Sequence, residues 1–120
     1  MSLIDGLHHV SLIVADTERA LTCYRDRLGL ELDPNRPDLG FPGAWLWVGA
    51  HQIHLLELPN PDPSAGRPAH GGRDRHLAVT VPELDAVIAS LDAAGVDYSL
   101  SRSGRRALFV RDPDANALEL

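Results

Sequence analysis

Apolar and polar residues alternate in two similar runs of this chain, about 67 residues apart. The first run is His9–Val14 and the second is His76–Val81. Alternation with a period of two is typical of β-strands, so we predict strands over residues 7–14 and 76–81. In both runs the histidine lies on the face opposite the bulkiest aliphatic side chains. That face could line a concave site while the aliphatic face packs beneath a helix.

Each predicted strand leads into a segment with helical spacing that ends at a glycine. Asp16 is a plausible N-cap for a helix over residues 17–28, which ends at Gly29. An apolar stripe predicts a second helix over residues 83–94, before Gly95. Further short strands are predicted at 30–33, 44–48 and 52–58, and at 97–101, 105–111 and 117–120.

The order β-α-β-β-β therefore occurs twice in a chain of 120 residues. We predict a single domain over 1–120, with module one at 7–58, a linker rich in Pro and Gly at 59–75, and module two at 76–120. The predicted fold class is α+β.

Four residues of types that bind metal ions occur at matching places in the two halves. His9 corresponds to His76, and His54 corresponds to Glu119, with offsets of about 65 to 67 residues that indicate a duplicated unit. Three imidazoles and one carboxylate suit a divalent metal site. His54 also shares its strand face with leucines, so a buried, hydrogen-bonded histidine is the alternative interpretation. Glu57, on the opposite face, is expected to be a rim or surface charge.

Composition narrows the classes of partner. The net charge of −6 argues against a nucleic-acid partner held through phosphate contacts. No apolar run approaches the ~20 residues of a membrane span, and the N-terminus lacks a signal-peptide profile. The single cysteine, Cys23, excludes an intrachain disulfide and favours a cytoplasmic location.

Several of these residues resemble the vicinal oxygen chelate superfamily, the group of glyoxalases, bleomycin-resistance proteins and extradiol dioxygenases. The resemblance spans Leu7 to Leu120 and lies in the following residues: His9-Val10, Asp16, Tyr24-Arg25-Asp26, Leu28-Gly29-Leu30, His76, Asp112-Pro113-Asp114, Asn116 and Leu118-Glu119-Leu120. These motifs are fairly specific for the fold and weakly specific for the reaction.

The resemblance implies two βαβββ modules whose mixed sheet forms a cup around one divalent metal ion (Ni, Zn, Co, Mn or Fe), and it implies a homodimer. By matching positions, the metal ligands are His9, His54, His76 and Glu119. The chain departs from the family pattern at two positions. His54 stands where glyoxalase I has Glu, and Ala115 stands where Gly is usual, so we expect Asn116 to adopt the left-handed conformation instead.

The leading functional hypothesis is a glyoxalase-like lyase or isomerase. The metal ion would bind two vicinal oxygens of a small substrate and stabilise an enediolate, with Glu119 as the catalytic base. One alternative is an Fe(II) dioxygenase that uses His9, His76 and Glu119. Others are a drug-binding or metabolite-binding protein without catalysis, and thiol transfer to an antibiotic epoxide.

Residues for substrate binding are predicted from charge and aromatic content. Arg105 and Arg106 could receive an anionic substrate tail, because guanidinium groups bind carboxylates in a bidentate manner. Trp47 alternates with Leu46 and shares a strand face with Trp45. Both tryptophans could pack in the core, or they could form an apolar pocket wall beside the metal.

Overall fold

A computed structural model describes all residues, 1–120, and divides the chain into two compact units, Met1–Asn60 and Pro61–Leu120. Each unit contains one four-stranded sheet and a short helix that follows the first strand. None of the helices is both long and apolar enough to cross a membrane.

The first unit has the predicted order β-α-β-β-β. Its elements are β1 (His9–Val14), α1 (Thr17–Leu21), β2 (Glu31–Leu32), β3 (Gly43–Val48) and β4 (His51–Glu57). The sheet order is β1-β4-β3-β2, with β1 parallel to β4 and the other pairs antiparallel. Helix α1 continues directly into a π-helical segment, Thr22–Arg27, which ends with the Leu28 amide donating to the Cys23 carbonyl.

The second unit repeats this arrangement. Its elements are β5 (His76–Ala78), α2 (Leu84–Ala93), β6 (Tyr98–Leu100), β7 (Leu108–Arg111) and β8 (Ala117–Glu119), preceded by a 3-10 turn at Gly71–Arg73. The sheet order is β5-β8-β7-β6, again with one parallel pair, β5 and β8. The shared strand order confirms the predicted α+β fold of two βαβββ repeats.

The core of the first unit lies on the aliphatic face of its sheet. Val14, Leu46 and Leu55 are fully buried there, and the helical segment buries Ala20 and Tyr24. Because side chains alternate along β1, His9, Ser11 and Ile13 project from the opposite face of the sheet. Burial of the aliphatic residues thus determines which face presents the histidines.

The turn between β7 and β8 differs from the prediction in which residue is left-handed. Ala115, and not Asn116, adopts the left-handed conformation, with a φ of 67°. The carboxylate of Asp112 holds the turn, because Oδ1 accepts the backbone amides of Asp114 and Asn116 at 2.8 and 2.9 Å. The side-chain amide of Asn116 donates to the other oxygen of Asp112 at 2.9 Å. Asp112 therefore holds both the backbone and the side chain of Asn116, and the left-handed residue of this turn is Ala115.

Candidate metal-binding residues in each unit

His9 and His54 lie together in the first unit. Strands β1 and β4 are parallel, with Ser11 opposite His54, and β3 places Trp45 opposite His54 from the other side. Residues directly opposite one another in a sheet project from the same face. The register therefore brings His9, His54 and Trp45 onto one face, and we call these three residues the first-unit site.

The three rings of the first-unit site are stacked. The His54 ring lies 4.0 Å from the His9 ring and 4.3 Å from the Trp45 ring, between centroids, with interplanar angles of 18° and 8°. This packing leaves His54 only 8% exposed. Burial, and after it the nearby His9 and His8, holds the pKa of His54 below its ordinary value. A neutral imidazole is the form that binds metal ions.

Polar partners surround both imidazoles of the first-unit site. His54 Nε2 lies 2.8 Å from Gln52 Oε1, and Gln52 Nε2 donates to Asp33 Oδ2 at 2.8 Å. His9 Nδ1 lies 2.8 Å from His8 Nδ1, so one of these two rings must carry the shared proton. His54 is thus both buried and hydrogen-bonded, as the alternative interpretation of this residue expected. Its Nδ1 is not engaged by this hydrogen bond.

His76 and Glu119 lie together in the second unit. Strands β5 and β8 are parallel with Ala78 opposite Glu119, so His76 and Glu119 project from one face. His76 Nε2 is 3.9 Å from Glu119 Oε1. His76 Nδ1 donates to the backbone carbonyl of Asp74 at 2.9 Å, which leaves the lone pair on Nε2. A carbonyl partner of this kind is typical of metal-binding histidines.

Arg105 contacts Glu119 directly. Its Nη2 lies 2.8 Å from Glu119 Oε2, whereas Glu119 Oε1 is the oxygen nearer to His76. We call His76, Glu119 and Arg105 the second-unit site. The Glu119 side chain is 16% exposed and the Arg105 side chain 56% exposed, so the ion pair lies at the edge of the solvent. Sequence reasoning assigned Arg105 to the substrate and did not foresee its contact with Glu119.

The other two residues predicted to bind substrate, Arg106 and Trp47, take no part in the contacts described for the first-unit and second-unit sites. Arg106 forms an ion pair with Asp85 at the start of helix α2, with both side chains largely exposed. Trp47 lies two residues beyond Trp45 on β3, on the same face, and is 42% exposed. Trp47 therefore has accessible aromatic surface, whereas Trp45 is stacked on His54.

Within neither unit do three or more His, Cys, Asp or Glu side chains form a group that could hold a metal ion. Each unit instead contains one pair of potential ligands, His9 with His54 in the first and His76 with Glu119 in the second. Sequence reasoning missed Gln52 as the partner of His54, the Asp74 carbonyl as the partner of His76, and Asp33 as the partner of Gln52. Strand alternation could have suggested Gln52, two residues before His54, whereas no local signal pointed to Asp33.

Comparison with known proteins agrees with this fold. Residues 6–120 match the Glyoxalase/Bleomycin resistance protein/Dioxygenase superfamily. An uncharacterized protein of Bacillus subtilis strain 168, YwkD, is 32% identical over 125 residues, spanning 98% of this chain and 97% of that protein. Glyoxylase I 4 of Arabidopsis thaliana is 30% identical over 123 residues, spanning 98% of this chain and 70% of that protein.

A solved structure shows the same fold. A glyoxalase family protein from Bacillus anthracis superposes with a TM-score of 0.82 at 23% identity, over 99% of this chain and 95% of that one. The chain belongs to the Glyoxalase/Bleomycin resistance protein/Dioxygenase superfamily, which confirms the resemblance found in its sequence.

Proposed function

We propose that this protein is a metal-dependent lyase or isomerase of glyoxalase-like type, which moves a proton next to a carbonyl group of a small substrate. The main support is the second-unit site, where a carboxylate and an imidazole face each other at 3.9 Å. The similarity to Glyoxylase I 4 of Arabidopsis thaliana favours this class of reaction over others found on the fold.

The four proposed ligands are His9, His54, His76 and Glu119, two from each unit. Their chemistry suits a divalent ion such as Ni, Zn, Co, Mn or Fe, because imidazole and carboxylate bind all of these. The hydrogen bond from His76 Nδ1 to the Asp74 carbonyl supports this assignment, since it leaves Nε2 as the basic nitrogen.

The metal ion would supply Lewis acidity toward the carbonyl oxygens of the substrate. Glu119 is the proposed base, because it is the only carboxylate among the four proposed ligands. Arg105 holds Glu119 Oε2 at 2.8 Å and so fixes the orientation of the carboxylate. Arg105 is more than half exposed, and it could also meet an anionic group of the substrate. Trp47 would provide apolar contact with that substrate.

Proton exchange tests this function without knowledge of the natural substrate. The metal-loaded protein is incubated in D₂O with a panel that includes the hemithioacetal of methylglyoxal and a thiol, and deuterium next to the carbonyl is followed by NMR. We expect exchange in the wild type and a loss of about 10²-fold to 10⁴-fold in Glu119→Gln, because the amide cannot accept the proton.

Glu31→Gln is the matched control, since it removes an exposed carboxylate on β2 of the first unit. Exchange that survives in Glu119→Gln would contradict the role of Glu119. Bound metal with oxygen uptake on catechols, and no proton exchange, would favour the dioxygenase instead. Tight binding of a small molecule without turnover would favour a sequestering protein.

A further inference from the structure

Asp33, Gln52 and His54 form a continuous hydrogen-bonded chain across the sheet of the first unit. Asp33 follows β2, and Gln52 and His54 lie two residues apart on β4, so both β4 side chains project from one face. The two hydrogen bonds in this chain are each 2.8 Å long.

The carboxylate of Asp33 sets the direction of the chain. An ionised carboxylate only accepts hydrogen bonds, so the Gln52 amide nitrogen must face Asp33 and its carbonyl oxygen must face His54. The backbone amide of Asn35, followed by the Gln52 amide, holds the pKa of Asp33 below its ordinary value, which keeps this carboxylate ionised. The Gln52 oxygen can only accept, and therefore His54 Nε2 must donate. A neutral His54 then has its lone pair on Nδ1.

We propose that Asp33 and Gln52 are positioning residues that fix the His54 tautomer with hydrogen on Nε2 and present Nδ1 as its metal-binding nitrogen. The metal-binding part rests on the proposed function, whereas the tautomer follows from the first unit alone. Stacking between His9 and Trp45 holds the plane of the ring. A flip of the ring within that plane would replace the Nε2 bond to Gln52 with a C–H group, so the stacked ring keeps one orientation.

His76 gives the opposite result by the same reasoning. Its Nδ1 donates to the Asp74 carbonyl, so its lone pair lies on Nε2. The two units are therefore expected to present different nitrogens. The opposite tautomers of His54 and His76 form an internal comparison within one protein.

NMR of the metal-free, full-length protein with ¹⁵N-labelled histidine measures both tautomers. At about pH 8, above the ordinary imidazole pKa of ~6.5, long-range ¹H–¹⁵N correlations distinguish protonated from unprotonated ring nitrogens. We expect hydrogen on Nε2 in His54 and on Nδ1 in His76. Hydrogen on Nδ1 of His54 in the wild type would overturn the proposal.

Two variants test whether Asp33 and Gln52 cause this preference. Asp33→Asn lets the Gln52 amide reverse, and Gln52→Leu removes the acceptor, so His54 should become a mixture of tautomers in both while His76 is unchanged. Asp38→Asn is the control, because Asp38 accepts the Gly40 amide in the same loop and is not part of the hydrogen-bonded chain from Asp33 to His54. An unchanged His54 tautomer in both test variants would overturn the proposal.

Addition of Zn²⁺ tests the metal-binding part separately. We expect the His54 Nδ1 resonance to shift, and Zn²⁺ affinity to fall about 10-fold to 100-fold in Asp33→Asn and Gln52→Leu. Zn²⁺ bound through Nε2 of His54 would overturn the proposal. The expected tautomer in metal-free protein, together with no Zn²⁺ binding at any histidine, would overturn the coordinating role and the proposed function.

Discussion

Ala115 adopts a backbone conformation that residues other than Gly, Asn and Asp seldom use, with φ at 67°. Its β-carbon then approaches the following carbonyl, which costs about 1–2 kcal/mol relative to glycine. Two hydrogen bonds hold the residue there: the Asp112 carbonyl accepts the Ala115 amide at 3.1 Å, and Arg111 donates to the Ala115 carbonyl at 2.7 Å. The turn therefore contains strain that a single substitution can relieve.

Replacement of Ala115 by glycine should stabilise the protein. The relieved strain exceeds the extra entropy that glycine gives the unfolded chain, about 0.4–1 kcal/mol, so we expect a net gain on the order of 0.5–1 kcal/mol. Urea unfolding measures this change. Ala94→Gly is the control, because Ala94 has a right-handed conformation at the end of α2 and should lose stability on substitution. A loss of stability in Ala115→Gly would contradict the argument.

The first helix is joined to the sheet by a side chain of the last strand in its unit. Glu57 Oε1 accepts the Thr17 backbone amide at 2.7 Å and the Thr17 hydroxyl at 3.1 Å. Asp16 adds a second cap by accepting the Arg19 amide at 2.9 Å. Glu57 is thus not simply a surface charge, because it satisfies donors at the start of α1 that no residue of the helix can reach.

Removal of this contact should loosen the start of α1. Glu57→Ala is expected to lower the free energy of unfolding by about 1–2 kcal/mol, whereas Glu57→Gln keeps an acceptor oxygen and should lose less. Thermal unfolding followed by circular dichroism measures both. Glu31→Ala on exposed β2 should change stability by less than about 0.5 kcal/mol. Equal losses in Glu57→Ala and Glu31→Ala would show that the cap adds nothing.

Strand alternation and glycine stops predicted most of the elements, because these signals are local. Alternation also placed His9 and His76 on the faces opposite the aliphatic residues. Contacts between distant segments were not predictable in this way. Asp33 contacts Gln52 because the strand order of the sheet brings the end of β2 close to β4. Arg105 contacts Glu119 from an irregular loop whose path has no sequence signature.

The fold as a whole is a duplication in which corresponding positions have diverged. His54 and Glu119 both lie in the central strand that pairs with the first strand of its unit, β4 with β1 and β8 with β5. Their surroundings differ, because His54 lies between two aromatic rings whereas Glu119 pairs with Arg105. Duplication thus accounts for the matching backbone positions, and local partners determine what each side chain does.

His9 of the first unit and His76 of the second are both proposed metal ligands, so the stabilisation of the protein by metal should depend on each of them. A ligand at 100 times its Kd stabilises the native state by about 2.7 kcal/mol. For a chain of this size we therefore expect Ni²⁺ or Zn²⁺ to raise the melting temperature on the order of 10 °C. Either His9→Ala or His76→Ala should remove most of this shift.

His51→Ala serves as the control, since it deletes an exposed imidazole at the start of β4 and should keep the full shift. Differential scanning fluorimetry with and without metal compares the four proteins, and metal analysis after dialysis should give one ion per chain. A shift lost in His9→Ala and kept in His76→Ala would mean that the first unit binds metal alone. In that case Glu119 would have to act without a metal bond, and its ion pair with Arg105 would be the contact that orients its carboxylate.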